Sequence, residues 1–298
     1  MEFLRNMAIA LLILLCTEVD FSFGWEVWGS EHAEVFYSLR DSTVAREVAT
    51  VVEANFARVA QSIGLRQSLK VRILLPPTEE EFALLTGGRF PDWGIGCAMP
   101  REKTIVLRPS SKGRVDLEEL VVHELSHVLL GQATGGARLP RWFDEGVAMW
   151  QSRQWRWGQD FRMNKAVFLR QIIPLSQIDN MLFFSSSRGQ LAYTESFLSV
   201  IYLLQWCGMD VVKKMAQQMA SGKVFSQALF EVCGCSESEF ATEWESYVRH
   251  RFNLASMVFN SFNLWIIIIL LFVAVYLVKR YRNRKILQKW QIEENYED

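Results

Sequence analysis

Two neighbouring stretches decide how this chain folds, 120-LVVHELSHVLLGQ-132 and 140-PRWFDEGVAMW-150. The first is apolar enough to lie in a core, yet it carries two of the protein's four histidines one helical turn apart, with a glutamate directly after the first. A polar side chain in such a helix loses its water and must be given a partner in exchange. At i and i+4, His123 and His127 leave the same face and can grip one ion from adjacent corners. Glu124 lies beside that ion without competing for the same corner, where it can hold a water for the ion to activate. Asp116, with Glu119 three residues on, marks the start of this helix.

A second helix, from 141 to about 152 with Pro140 at its first turn, would return through a Gly135-Gly136 loop and bring Glu145 back against the first. Two imidazoles and one carboxylate leave the fourth tetrahedral position open, which hydrolytic zinc requires and structural zinc does not. Zn2+ is therefore the expected cofactor, although the same donors suit cobalt or manganese. Asp144 could orient a histidine or cap the helix. His32 has no recognisable context, and His250 lies close to an apolar segment.

These residues resemble the gluzincin metallopeptidases, in particular the small peptidase MA-like domains. The likeness rests on 123-HELSH-127, 142-WFDEGVA-148 and 192-AYTESFLSVIYLL-204, covers about residues 30 to 250, and is strongest over 117 to 150. It implies that His123, His127 and Glu145 bind zinc and that Glu124 is the general base. Tyr193 is the candidate for steadying the oxyanion, since it begins the downstream helix where related enzymes place a phenol or an imidazole; packing on the core is the open alternative. By the same resemblance, the strands around 94 to 109 form a sheet edge beside the cleft, where an extended substrate could add as a further strand. Met149 stands where thermolysin-like enzymes have an acidic residue, and no exopeptidase signature is present. An endopeptidase is the expectation, with chain-end preference open.

The rest of the chain reads as α+β. A strand at Ala33 to Tyr37 precedes an amphipathic helix carrying Val44, Val48, Val51, Val52, Phe56 and Val59. A strand at 70-KVRILL-75, a short helix over 79 to 87, and two strands at 94-GIGCAMP-100 and 103-KTIVLRP-109 follow, the last two joined by an Arg101-Glu102 turn. Beyond Asp116 the expected helices are 117 to 132, 141 to 152, 191 to 207, 209 to 220, 224 to 233 and 237 to 251, with 152 to 190 irregular and aromatic. A small mixed sheet followed by a mainly helical, zincin-like region is the fold this order implies.

The termini carry their own signals. Residues 1 to 24 read as a signal peptide, with an uncleaved anchor as the alternative. Residues 254 to 278 read as a transmembrane helix, stopped by five basic residues in 279-KRYRNRK-285. That basic stop assigns 279 to 298 to the cytoplasm and the catalytic domain, 25 to 253, to the other side. Cys97, Cys207, Cys233 and Cys235 could then form up to two disulfides of unspecified pairing. A formal charge of −1 in 298 residues leaves no electrostatic footprint for nucleic acid. The expected partners are a peptide or protein substrate and the lipid bilayer of the cell membrane. The expected activity is membrane-anchored, zinc-dependent peptide hydrolysis; the alternatives are an inactive relative serving as a binding or sensory ectodomain, and hydrolysis of a non-peptide amide.

Overall fold

In the computed structural model the described residues are 24–88, 94–108, 116–154, 158–252 and 262–294. Strands β1 (Trp25–Gly29) and β2 (Ala33–Ser38) lead into helix α1 (Ser42–Ile63), followed by β3 (Val71–Leu75), α2 (Glu79–Leu85), β4 (Gly96–Met99) and β5 (Thr104–Leu107). Helices α3 (Leu117–Ala133), α4 (Arg141–Gln151) and α5 (Gln159–Phe168), a 3-10 stretch (Leu175–Phe183), and helices α6 (Ser186–Cys207), α7 (Val211–Ala220), α8 (Phe225–Cys233), α9 (Glu237–Arg251) and α10 (Phe262–Glu294) complete the chain. Residues 1–159 with 172–245 make one compact unit, and 160–171 with 246–298 another. The expected signal peptide lies almost wholly outside the described residues.

The strands form a five-stranded mixed sheet in the order β1-β2-β3-β5-β4. β2, β3 and β5 run parallel through Ala33↔Val71 and Ile73↔Ile105, while β1 and β4 are antiparallel edges. Alternation sets the layer: Ala33, Val35 and Tyr37 of β2 and Val71, Ile73 and Leu75 of β3 turn inward. Against that face packs the apolar stripe of α1, including Val48, Val52, Phe56 and Val59. The α+β expectation holds, with one strand more than the sequence offered, because β1 leaves most of its residues exposed and so lacks an apolar pattern.

Helix α3 is the central helix, buried without interruption from Leu120 to Gly131. Asp116 caps it by accepting from the Glu119 amide at 3.2 Å, a contact of about 1 kcal/mol. Gly135 and Gly136 turn the chain back with φ of 65° and 75°, and α4 begins at Arg141 as expected, with Pro140 at the N-cap rather than inside the first turn. Gly146 allows α4 to lie directly on α6, since any Cβ there would strike the Ser196 carbonyl oxygen. At the other end of α4, the Arg58 guanidinium donates to the Gln151 carbonyl, the Gln151 Oε1 and the Asn55 Oδ1, each at 3.0 Å. Arg58 thus takes the Gln151 carbonyl, the last at the helix C-terminus, while the amides of residues 152 to 154 take those of Ala148, Met149 and Trp150.

Two expectations change. The region 152 to 190 contains α5, the 3-10 stretch and the first turn of α6, so it is more regular than its aromatic composition suggested; Trp155 and Trp157 lie outside the described residues. The four cysteines make one disulfide, Cys207–Cys233, which ties the end of α6 to the end of α8, and Cys97 and Cys235 remain thiols.

The expected membrane helix is not borne out among the described residues. Its first residues, 254–261, lie outside the described residues, and among the described residues no helix is long and apolar enough to cross a membrane. In α10 the described apolar run from Leu264 to Val278 ends at Lys279. At 1.5 Å per residue that described part reaches roughly 22 Å, short of the ~30 Å hydrocarbon layer.

Candidate metal centre and active site

Helices α3 and α4 bring three side chains to one point. The His123 and His127 Nε2 atoms stand 3.2 Å apart, and Glu145 Oε2 is 3.3 Å from the first and 3.5 Å from the second. Ligands about 2.05 Å from a zinc at tetrahedral angles stand about 3.3 Å from one another. The three donors therefore already hold the spacing a single ion needs. All three residues are buried. Glu145 Oε2 makes no hydrogen bond although it is enclosed, a costly state for a carboxylate oxygen that a cation would relieve.

Electrostatics point the same way. Burial by itself would press the His127 imidazole down, but Asp144 and Glu145 outweigh it and hold its pKa well above the usual histidine value. Burial would likewise raise Glu145, yet His127 and His123 pull its carboxyl strongly down. The carboxylates favour a positive charge at this point, and without a metal the His127 imidazole carries it as a proton. His127 Nδ1 donates to Asp144 Oδ1 at 2.8 Å, which fixes the ring and, once a cation displaces the second proton, presents the Nε2 lone pair inward. Asp144 thus orients a histidine, the first of the two roles its position allowed.

Glu124 is buried beside the histidines and its carboxyl is raised by that burial, while His123 and His127 pull it back. It lies against the edge strand β4: a Cβ on Gly96 would stand 2.6 Å from Glu124 Oε1 and 2.8 Å from Cδ. Only glycine leaves that carboxylate its seat. The strand pair expected beside the cleft is therefore present, with β4 on the outside of the sheet and adjacent to Glu124. Tyr193, in the second turn of α6, has its ring centre 6.5 Å from that of His123. Burial, then Glu145 and Glu124, push its phenol well above the ordinary tyrosine range, so it stays protonated and able to donate.

A family model described as the peptidase MA superfamily matches residues 53–250, more than half of the 298-residue chain. The chain belongs to the peptidase MA superfamily. The matched region of this peptidase MA protein runs from the middle of α1 to the end of α9 and contains all of His123, Glu124, His127, Glu145 and Tyr193. It is a metallopeptidase with a His123, His127 and Glu145 site. No curated protein matches the chain.

Several residues that serve the site carried no signal of their own in the sequence. Gly96 reads as an ordinary strand glycine, and Gly146 as part of a motif whose purpose is helix contact. Glu195 is buried in α6 and both of its oxygens accept from the Ile173 amide, at 3.1 and 3.2 Å, holding the chain before the 3-10 stretch to that helix. None of these could have been found without the partner that lies far along the chain.

Proposed function

We propose that this peptidase MA protein is a zinc-dependent endopeptidase in which Glu124 is the general base and Tyr193 the oxyanion donor. The observation that carries the reading is the triangle of unspent donors on His123, His127 and Glu145, spaced 3.2, 3.3 and 3.5 Å apart inside the fold. When bound, zinc supplies Lewis-acid polarisation of the scissile carbonyl and eases ionisation of the attacking water. Glu124 accepts the proton of that water and passes it to the leaving nitrogen. Tyr193 donates its phenolic proton in a hydrogen bond to the oxyanion as charge develops there. Asp144 keeps the His127 ring in the tautomer that presents Nε2 inward. Strand β4, an edge of the sheet beside Glu124, offers an extended peptide backbone hydrogen bonds in register with the cut.

A place at the cell membrane belongs to this proposal and rests on the sequence alone. Residues 254–278 form an apolar run followed by 279-KRYRNRK-285, the pattern that leaves a basic tail in the cytoplasm and the catalytic domain outside.

The test is zinc content per chain by elemental analysis, with cleavage of a broad peptide library by wild type and Glu124→Gln. Near-stoichiometric zinc in both, and turnover reduced by about 10²–10⁴ in the variant, is expected. Zinc without turnover in the wild type would reject peptidase activity, and no zinc would reject the site.

A further inference from the structure

We propose that Arg141 is a positioning residue for the metal ligand Glu145, occupying one carboxylate oxygen so that the other alone faces the two histidines. This rests on the metal-site reading above and extends it to a residue outside the HExxH and WFDEG motifs.

Arg141 is the first residue of α4 and stands one turn before Glu145. Its Nη1 lies 3.5 Å from Glu145 Oε1, and the side chains are 31% and 6% exposed. Oε2 of the same carboxylate faces the Nε2 atoms of His123 and His127. The two oxygens of a carboxylate are chemically equal, so a glutamate with nothing to tell them apart can turn over or offer both to a cation. Here each oxygen has its own positive neighbour. The backbone that carries the guanidinium is anchored as well: the Arg141 amide donates to Asp179 Oδ1 at 2.8 Å, which fixes the start of α4 to the 3-10 stretch. Arg141 also reaches the cleft itself, because its charge favours the ionised forms of both Tyr193 and Cys97, residues of α6 and β4.

The consequence is chemical. A glutamate that gives a metal one oxygen leaves a position for water and for the substrate carbonyl, whereas one that gives two fills it. Arg141 keeps the site open by keeping Oε1 engaged.

Cobalt reports this without any turnover, since its visible absorption weakens as the number of ligands rises from four to five. The full-length protein is loaded with Co2+ as wild type, Arg141→Met, Arg141→Gln and Arg141→Lys, with circular dichroism of each metal-free form as the control for folding. The expected result is an intense spectrum for the wild type and the lysine variant, and a clear loss of intensity in the methionine and glutamine variants with cobalt still bound. Equal spectra in every folded variant, or a lysine variant as weak as the methionine one, would overturn the proposal and leave the metal site standing. A wild type that binds no cobalt would remove the metal-site reading itself.

Discussion

His32 and His127 have nearly the same nearest neighbour, a carboxylate oxygen 2.7 Å from one Nδ1 and 2.8 Å from the other. Each belongs to a trio with metal-ligand chemistry, Glu31, His32 and Glu53 in one case and His123, His127 and Glu145 in the other. What separates them is what remains unspent. In the first trio, Glu53 accepts the His32 amide through Oε1 and faces its ring through Oε2, both at 2.7 Å, and the ring stacks on Phe56 at 3.9 Å. Glu31 is exposed and 3.9 Å away. Those contacts fasten the turn between β1 and β2 to α1, and little is left to give an ion. In the second trio the contact to Asp144 uses the outer nitrogen and turns the inner one to His123 Nε2 at 3.2 Å, beside a buried oxygen with no hydrogen bond. Proximity of histidine to carboxylate is common to both; unsatisfied donors in a dry place are not.

The largest expected effect breaks the second trio. Glu145→Gln removes the charge that the imidazoles and the ion share, and zinc affinity is expected to fall by more than about 100-fold, as deletion of a direct ligand should exceed the 10- to 100-fold cost of losing an outer partner. A chelator competition titration reads it; undiminished affinity would place the ion elsewhere.

Glu195 sharpens the contrast, because it is a buried carboxylate given neither an imidazole nor an open space. Burial raises its carboxyl from the ordinary 4.5 to about 8, against the pull of the Ile173 amide. The folded chain therefore keeps this proton at pH values where the unfolded chain has lost it. Stability falls as pH rises from about 4.5 to about 8, by up to about 1.4 kcal/mol per unit, and levels off above. Denaturant unfolding across that window should show the fall in wild type and a shallower one in Glu195→Gln. Parallel profiles would show that the carboxylate is better solvated than its burial indicates.

The smallest effect belongs to the first trio. Glu53→Gln keeps an acceptor for the His32 amide and weakens the partner of the ring, so it should cost about 1 kcal/mol and leave zinc content unchanged. A melting curve and a metal assay on the same sample suffice. A loss of zinc in that variant would undo the distinction between clamp and site.

How legible the site was follows from how local each part is. His123, Glu124 and His127 are set by helical spacing, so their shared face was readable from five residues. Glu145 required only that a glycine loop return a second helix, and Pro140 and Gly135-Gly136 carried that information. The helices from α7 to α9 were legible within two residues at their starts for the same reason. β1 was missed because an exposed edge strand needs no apolar alternation, and α5 because aromatic residues masked its periodicity. The long apolar run near the C-terminus was legible as a pattern, but its described part alone is too short to cross a bilayer.

The sequence by itself determined the donor types, their order and the helical phase that aligns them, since backbone geometry repeats over a few residues whatever surrounds it. Only the tertiary structure decided which lone pairs stay free: that Asp144 takes the outer nitrogen of His127, that Arg141 faces one oxygen of Glu145, and that Gly96 makes room for Glu124. Those outcomes depend on packing between segments remote in the chain, where a few tenths of an ångström separate a hydrogen bond from a collision.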